Sequence, residues 1–134
     1  MKFYKKPSKR KIKNTLIEWL RLLSIGRWDD AKSKTYSQLS TASESERYLE
    51  DGIWQYLNPT EDQRLFSPPV SDPIKMRWDR SVLEVEVDDE EDEELIFVYI
   101  KLPLNGEWSD LRAQFILFQN SDGMWEMYFD QLLR

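Results

Sequence analysis

Apolar and polar residues alternate with two different periods along this chain, and the change of period divides it in two. From Ile12 to Ile25, the residues Ile12, Leu16, Leu20 and Leu23, joined by Trp19, recur at the spacing of one helix face, and Gly26 supplies a stop. Trp28, Ala31, Tyr36 and Leu39 mark a second, weaker helix over 28–39. Ser43 with Glu46 forms a capping box that opens a third helix, carrying Tyr48, Leu49, Ile53, Trp54, Tyr56 and Leu57 and ending before Pro59. Gly52 sits inside that helix at a cost of about 1 kcal/mol relative to Ala, so a bend or a close neighbour is expected there. Thr60 with Gln63 adds one more turn, and residues 67–73, with three prolines in seven positions, form a hinge without regular structure.

From Ile74 the period becomes two. Ile74, Met76 and Trp78 alternate with Lys75 and Arg77, and over 82–87 Leu83, Val85 and Val87 alternate with Glu84 and Glu86. Residues 95–102 are apolar on both faces, the mark of a strand covered on both sides or lying at an interface. Asn105-Gly106 and Ser121-Asp122-Gly123 are turn signals, and they separate strands over 95–102, 111–119 and 124–132. In the last strand Trp125, Met127 and Phe129 share one face, and Glu126, Tyr128 and Asp130 share the other. The expected architecture is α+β: N-terminal helices packed on a curved antiparallel β-meander, with a basic flexible arm at 1–11 and a single domain over 12–134.

Charge refines this picture. Residues 1–40 carry eleven Lys or Arg against three Asp or Glu, whereas 41–134 carry eight against twenty-two, for a net charge of −6. An acidic body repels nucleic acid, so no nucleic-acid partner is expected. The chain has no Cys and no His. Thiol nucleophiles, disulfides, Cys- or His-ligated metals and His-based acid–base chemistry are therefore excluded, and a reducing, cytoplasmic setting fits. No stretch approaches the roughly 18 apolar residues of a transmembrane segment. Walker A, G-x-G-x-x-G and G-x-S-x-G motifs are absent.

The order of elements resembles the nuclear-transport-factor-2-like superfamily of cystatin-like α+β rolls. Gly26-Arg27-Trp28-Asp29-Asp30-Ala31 is similar to the Gly-x-Trp-x-x-Ala lead into the second helix of that superfamily, and residues 110–119 and 122–130 are similar to its last two strands. The resemblance implies a cone between helices and sheet. It embraces isomerases, dehydratases, polyketide cyclases, ligand-binding accessory domains, transport factors and toxin-immunity proteins, so the fold alone selects no activity. Enzymatic members place a His–Asp or Tyr–Asp pair in the cone, and His is lacking here.

Two sets of candidate residues follow. A pocket set comprises Trp54, Tyr99, Arg112, Trp125, Tyr128 and Asp130. If it lines the cone, it would take a small apolar ligand, with Asp130 as a general base whose pKa is raised by burial. An acidic docking loop comprises Asp88, Asp89, Glu90, Glu91, Asp92, Glu93 and Glu94. It lacks the D-x-[DN]-x-[DN]-G spacing of a calcium loop, so no metal and no cofactor is expected. The leading expectation is a non-enzymatic binding domain that meets a protein partner through its acidic parts, as immunity proteins do. A homodimer through the sheet face is the other way to cover residues 95–102, and a cyclase- or isomerase-like enzyme using Asp130 is the alternative.

Overall fold

The computed structural model describes residues 1–35, 42–88 and 94–134, with side chains from residue 49 onward in the second stretch. Among these, three helices lie between the first strand and the other four strands of a five-stranded antiparallel sheet. Helix α1 (Lys9–Ser24) opens three residues before the first periodic apolar position, because Ser8 Oγ accepts from the Lys11 amide at 3.1 Å and caps the first turn. It ends at Gly26, where φ is 81°. Helix α2 (Trp28–Thr35) follows at once; the remainder of the helix expected to reach residue 39 lies outside the described residues, as do the side chains of the Ser43–Glu46 box. Helix α3 (Ala42–Leu57) stops before Pro59 as expected. The turn at Thr60 is present as a short 3-10 helix (Gln63–Leu65), with the Thr60 amide donating to Gln63 Oε1 at 2.9 Å.

The sheet comprises β1 (Lys2–Phe3), β2 (Leu83–Asp88), β3 (Leu95–Leu104), β4 (Glu107–Gln119) and β5 (Trp125–Leu133), in spatial order β1-β5-β4-β3-β2. Residues 1–11, expected to form an arm, divide between two elements: Lys2 and Phe3 pair with Glu126 and Trp125, and Lys9 to Lys11 belong to α1. Ile74, Met76 and Trp78 do not form a strand. Asp72 accepts from the Ile74 amide at 3.0 Å, and Pro73 at the first position sets a 3-10 turn (Pro73–Lys75) instead. β3 and β4 run past the expected ends and meet in a two-residue turn, Asn105-Gly106, with φ of 54° and 76°. Pro103 has no N–H to give the ladder, so the register slips between Lys101 and Pro103; Ser109 Oγ takes up the Leu102 carbonyl at 2.8 Å.

The register decides which side chains meet the helices. Leu83, Ile100, Ala113 and Leu132 lie in one row, Val85, Val98, Phe115 and Phe129 in the next, and Val87, Ile96, Leu117 and Met127 in a third. Helix α1 lays Trp19 across this face, with its ring centroid 5.0 Å from that of Phe115 and 6.4 Å from that of Phe129. Trp19, Phe115, Leu117 and Met127 have no solvent exposure. Side chains of α1 and of the sheet therefore interlock there. Helix α3 comes close enough that a Cβ placed on Gly52 would lie 2.5 Å from Leu132 Cδ1.

Candidate functional site: the outer face of the sheet

Strand alternation sends every second side chain away from the helices, and on β3 and β4 several of those side chains are also apolar. Phe97, Tyr99, Ile116 and Phe118 are half-buried, and Leu95 is 37% exposed. Registers place Phe97 beside Ile116, and Ile116 beside Tyr128 of β5; the Phe118 and Tyr128 rings are 5.7 Å apart. The buried apolar side chains of the described helices, Trp54 excepted, belong to the core cluster. An apolar, aromatic band thus crosses the middle of the outer face and remains in contact with water.

Carboxylates border this band. Glu84 and Glu86 face Tyr99 and Phe97 from β2, and Glu126 lies beside Phe118 from β5. Tyr128 is pushed up to about 12, first by burial and then by its hydrogen bond and proximity to Glu126. Burial, followed by Glu86, raises Tyr99 as well. Both phenols therefore remain neutral donors at physiological pH. The compensating cations are few: Lys2 lies 3.7 Å from Glu126, and Arg112 lies 3.8 Å from Glu84 while its guanidinium sits 5.2 Å above the Tyr99 ring. At one end of the face an open cavity of about 710 Å³ is lined by Tyr99, Lys101 and Arg112 together with Tyr56 of α3.

The structure separates the six pocket candidates. Tyr99 and Arg112 meet on the outer face. Tyr128 and Asp130 also lie on that face, and Tyr128 in addition lines an open cavity of about 450 Å³ with Lys2, Glu126, Thr15 of α1 and Lys34 of α2. Gln114 pairs with Gln131 and Phe115 with Phe129, so Asp130 is the extra residue of a β-bulge. Its carboxylate accepts from Gln114 Nε2 at 3.2 Å, and burial raises its pKa from the ordinary carboxylate value. Trp125 is buried on the core side, and Trp54 on α3 gives its indole N–H to the Phe66 carbonyl at 3.1 Å, so neither reaches the other four. Of the acidic loop, Asp88 closes β2 opposite Leu95 and Glu94 pairs with Lys6; residues 89–93 lie outside the described residues. Ile116, Phe118, Glu84, Glu86 and Glu126 are absent from both candidate sets. The signal for them is the alternation itself: once Leu83 and Val85 are assigned to the core, their neighbours on the same strand must face out.

The arrangement offers apolar contact, two phenolic donors and fixed negative charge, which is the chemistry of recognition. Among the described residues no cluster of three or more His, Cys, Asp or Glu side chains is set to hold a metal ion, and no helix is long and apolar enough to cross a membrane. Fold and site together define an α+β protein with an open antiparallel sheet covered by helices on one face. Comparison with protein-family models, with curated proteins and with solved structures gives no match to this chain.

Proposed function

We propose that this chain is a non-enzymatic binding domain whose outer sheet face docks a basic protein partner. The observation that carries the reading is the half-exposed band of Phe97, Tyr99, Ile116, Phe118 and Tyr128, bordered by Glu84, Glu86 and Glu126. An apolar centre with a polar, charged rim is the anatomy of a protein interface. The sign of the rim selects the partner. Two copies placed face to face would oppose carboxylates to carboxylates, which favours a partner of opposite charge over a homodimer. An immunity-type role, in which the acidic sheet half neutralises a basic toxin, fits this chemistry. The order of elements, three helices followed by an uninterrupted four-strand meander, supports placing the domain among the cystatin-like rolls of the nuclear-transport-factor-2-like kind.

The test is a photo-crosslinking residue placed at Phe118 and, as a control, at Ile74, in the host cell. A partner captured at Phe118 alone is then purified and its affinity measured. We expect a positively charged protein, binding that weakens with salt, and at least a tenfold loss in Phe97→Ser with Ile116→Ser. Binding indifferent to both salt and these substitutions would overturn the reading.

A further inference from the structure

On the other side of the molecule the charge pattern is reversed. An open cleft of about 460 Å³ lies between the first two turns of α1 and the segment leading into β2, lined by Lys9, Arg10, Lys13, Trp78, Asp79, Arg80 and Leu83. Four cations against one carboxylate give the lining a formal excess of three positive charges, in a chain whose net charge is −6. The single acid is already engaged: Asp79 Oδ1 accepts from the Ser81 amide at 2.7 Å and from the Ser81 hydroxyl, which holds the Asp79 carboxyl below the usual range. Among the described residues, then, the four cations Lys9, Arg10, Lys13 and Arg80 face no carboxylate partner.

The cleft is also fixed in shape. Trp78 gives its N–H to the Pro73 carbonyl at 3.1 Å, and Trp108 meets it edge-on at 4.7 Å. Trp108 is anchored in turn by its own N–H to the Arg77 carbonyl at 2.8 Å. Lys13 Nζ lies 4.7 Å above the Trp78 ring, so the indole acts as a post that holds this ammonium toward the cleft. Because the ring is occupied by Lys13 and Trp108, it is a poor platform for stacking a nucleobase, the contact on which single-stranded nucleic acid binding relies. Trp78 and Leu83 are the only apolar groups of the lining, and both are packed against the core, leaving nothing to insert among acyl chains. Two guanidinium forks and two ammonium groups, from segments some seventy residues apart in the chain, suit a ligand carrying several phosphates close together.

We propose that this cleft binds a compact polyphosphate, independently of the partner docked on the outer face. Inorganic tripolyphosphate is the probe, titrated into the intact chain by calorimetry at low salt. We expect saturable binding to one site, weakened at least tenfold by Arg10→Gln with Arg80→Gln and less than twofold by Arg21→Gln with Lys34→Gln, which removes the same charge from around the cavity at the other end of α1. Arg10 and Arg80 are exposed, and unchanged thermal unfolding of the variant confirms that loss of binding is not loss of fold. Absence of saturable binding, or equal weakening by both double substitutions, would overturn the proposal. So would tight binding of anionic vesicles or of a single-stranded oligonucleotide when tripolyphosphate does not bind.

Discussion

Gly52 is the position where two physical effects of known sign oppose each other. In the interior of α3, Gly→Ala gains about 1 kcal/mol of helix propensity, since the methyl group limits the unfolded backbone. Against this stands Leu132, whose Cδ1 would lie 2.5 Å from the added Cβ, well inside contact distance. Leu132 is 8% exposed and sits in the row with Ala113 and Ile100, so it has little room to swing away. Overpacking of this kind costs about 1–3 kcal/mol. The expected net effect of Gly52→Ala is a destabilisation of about 0–2 kcal/mol. In a Leu132→Ala background, itself destabilised by about 2–4 kcal/mol, the clash disappears and the same substitution becomes stabilising by about 1 kcal/mol. Urea unfolding of the four proteins in a double-mutant cycle measures the coupling, expected at about 1–3 kcal/mol. A Gly52→Ala substitution that stabilises the parent by its full propensity, with no coupling to Leu132, would refute the account of why glycine stands there.

Two further expectations rest on electrostatics. Tyr128 is raised from 10.0 to about 12, so the unfolded chain loses this proton first and stability falls as pH rises through that interval. Ultraviolet titration of the tyrosinates should show a late step that Tyr128→Phe removes and Glu126→Gln shifts downward. In α1, the first turn carries Lys9, Arg10 and Lys11 and no acid, against the preference of a helix dipole. Lys9→Glu should therefore stabilise the fold by about 0.5–1 kcal/mol in thermal unfolding, also gaining an i,i+4 pair with Lys13, while weakening tripolyphosphate binding.

The strands of the meander were legible in the sequence because each is long enough to display its pattern. Leu83 to Val87 and Trp125 to Phe129 alternate over five residues, and the turns between strands are signalled by Asn105-Gly106 and Asp122-Gly123. What was not legible is whatever depends on a partner far along the chain. Two residues, Lys2 and Phe3, form a strand only because β5 offers them an edge. The Ile74–Met76–Trp78 alternation reads as a strand until Asp72 and Pro73 fold it into a 3-10 turn. The bulge at Asp130 arises from the register between β4 and β5, which no local pattern encodes. Trp125 and Tyr128, three residues apart on one strand, face opposite sides of the sheet and cannot share one pocket.

The way the sheet ends bears on how a partner can reach it. A sheet can recruit another chain by its edge or by its face, and here the β2 edge is guarded. β1 is two residues long, too short to template a strand, and β2 places Glu84, Glu86 and Asp88 at alternate positions of its six residues. Short edges and regularly spaced charges are the devices that block edge-to-edge pairing. The face between the edges keeps its aromatic band exposed, so side-chain docking is the route it offers. Replacing Glu84 and Glu86 with Thr removes two charges and raises strand propensity on β2. Light scattering after size exclusion should then show concentration-dependent assembly that the parent chain lacks. Assembly that persists when Ile116→Ser is added is edge pairing, as the guarded edge requires. Assembly abolished by Ile116→Ser would place the new contact on the face and show that the carboxylates of β2 repel a second copy there, rather than protecting the edge.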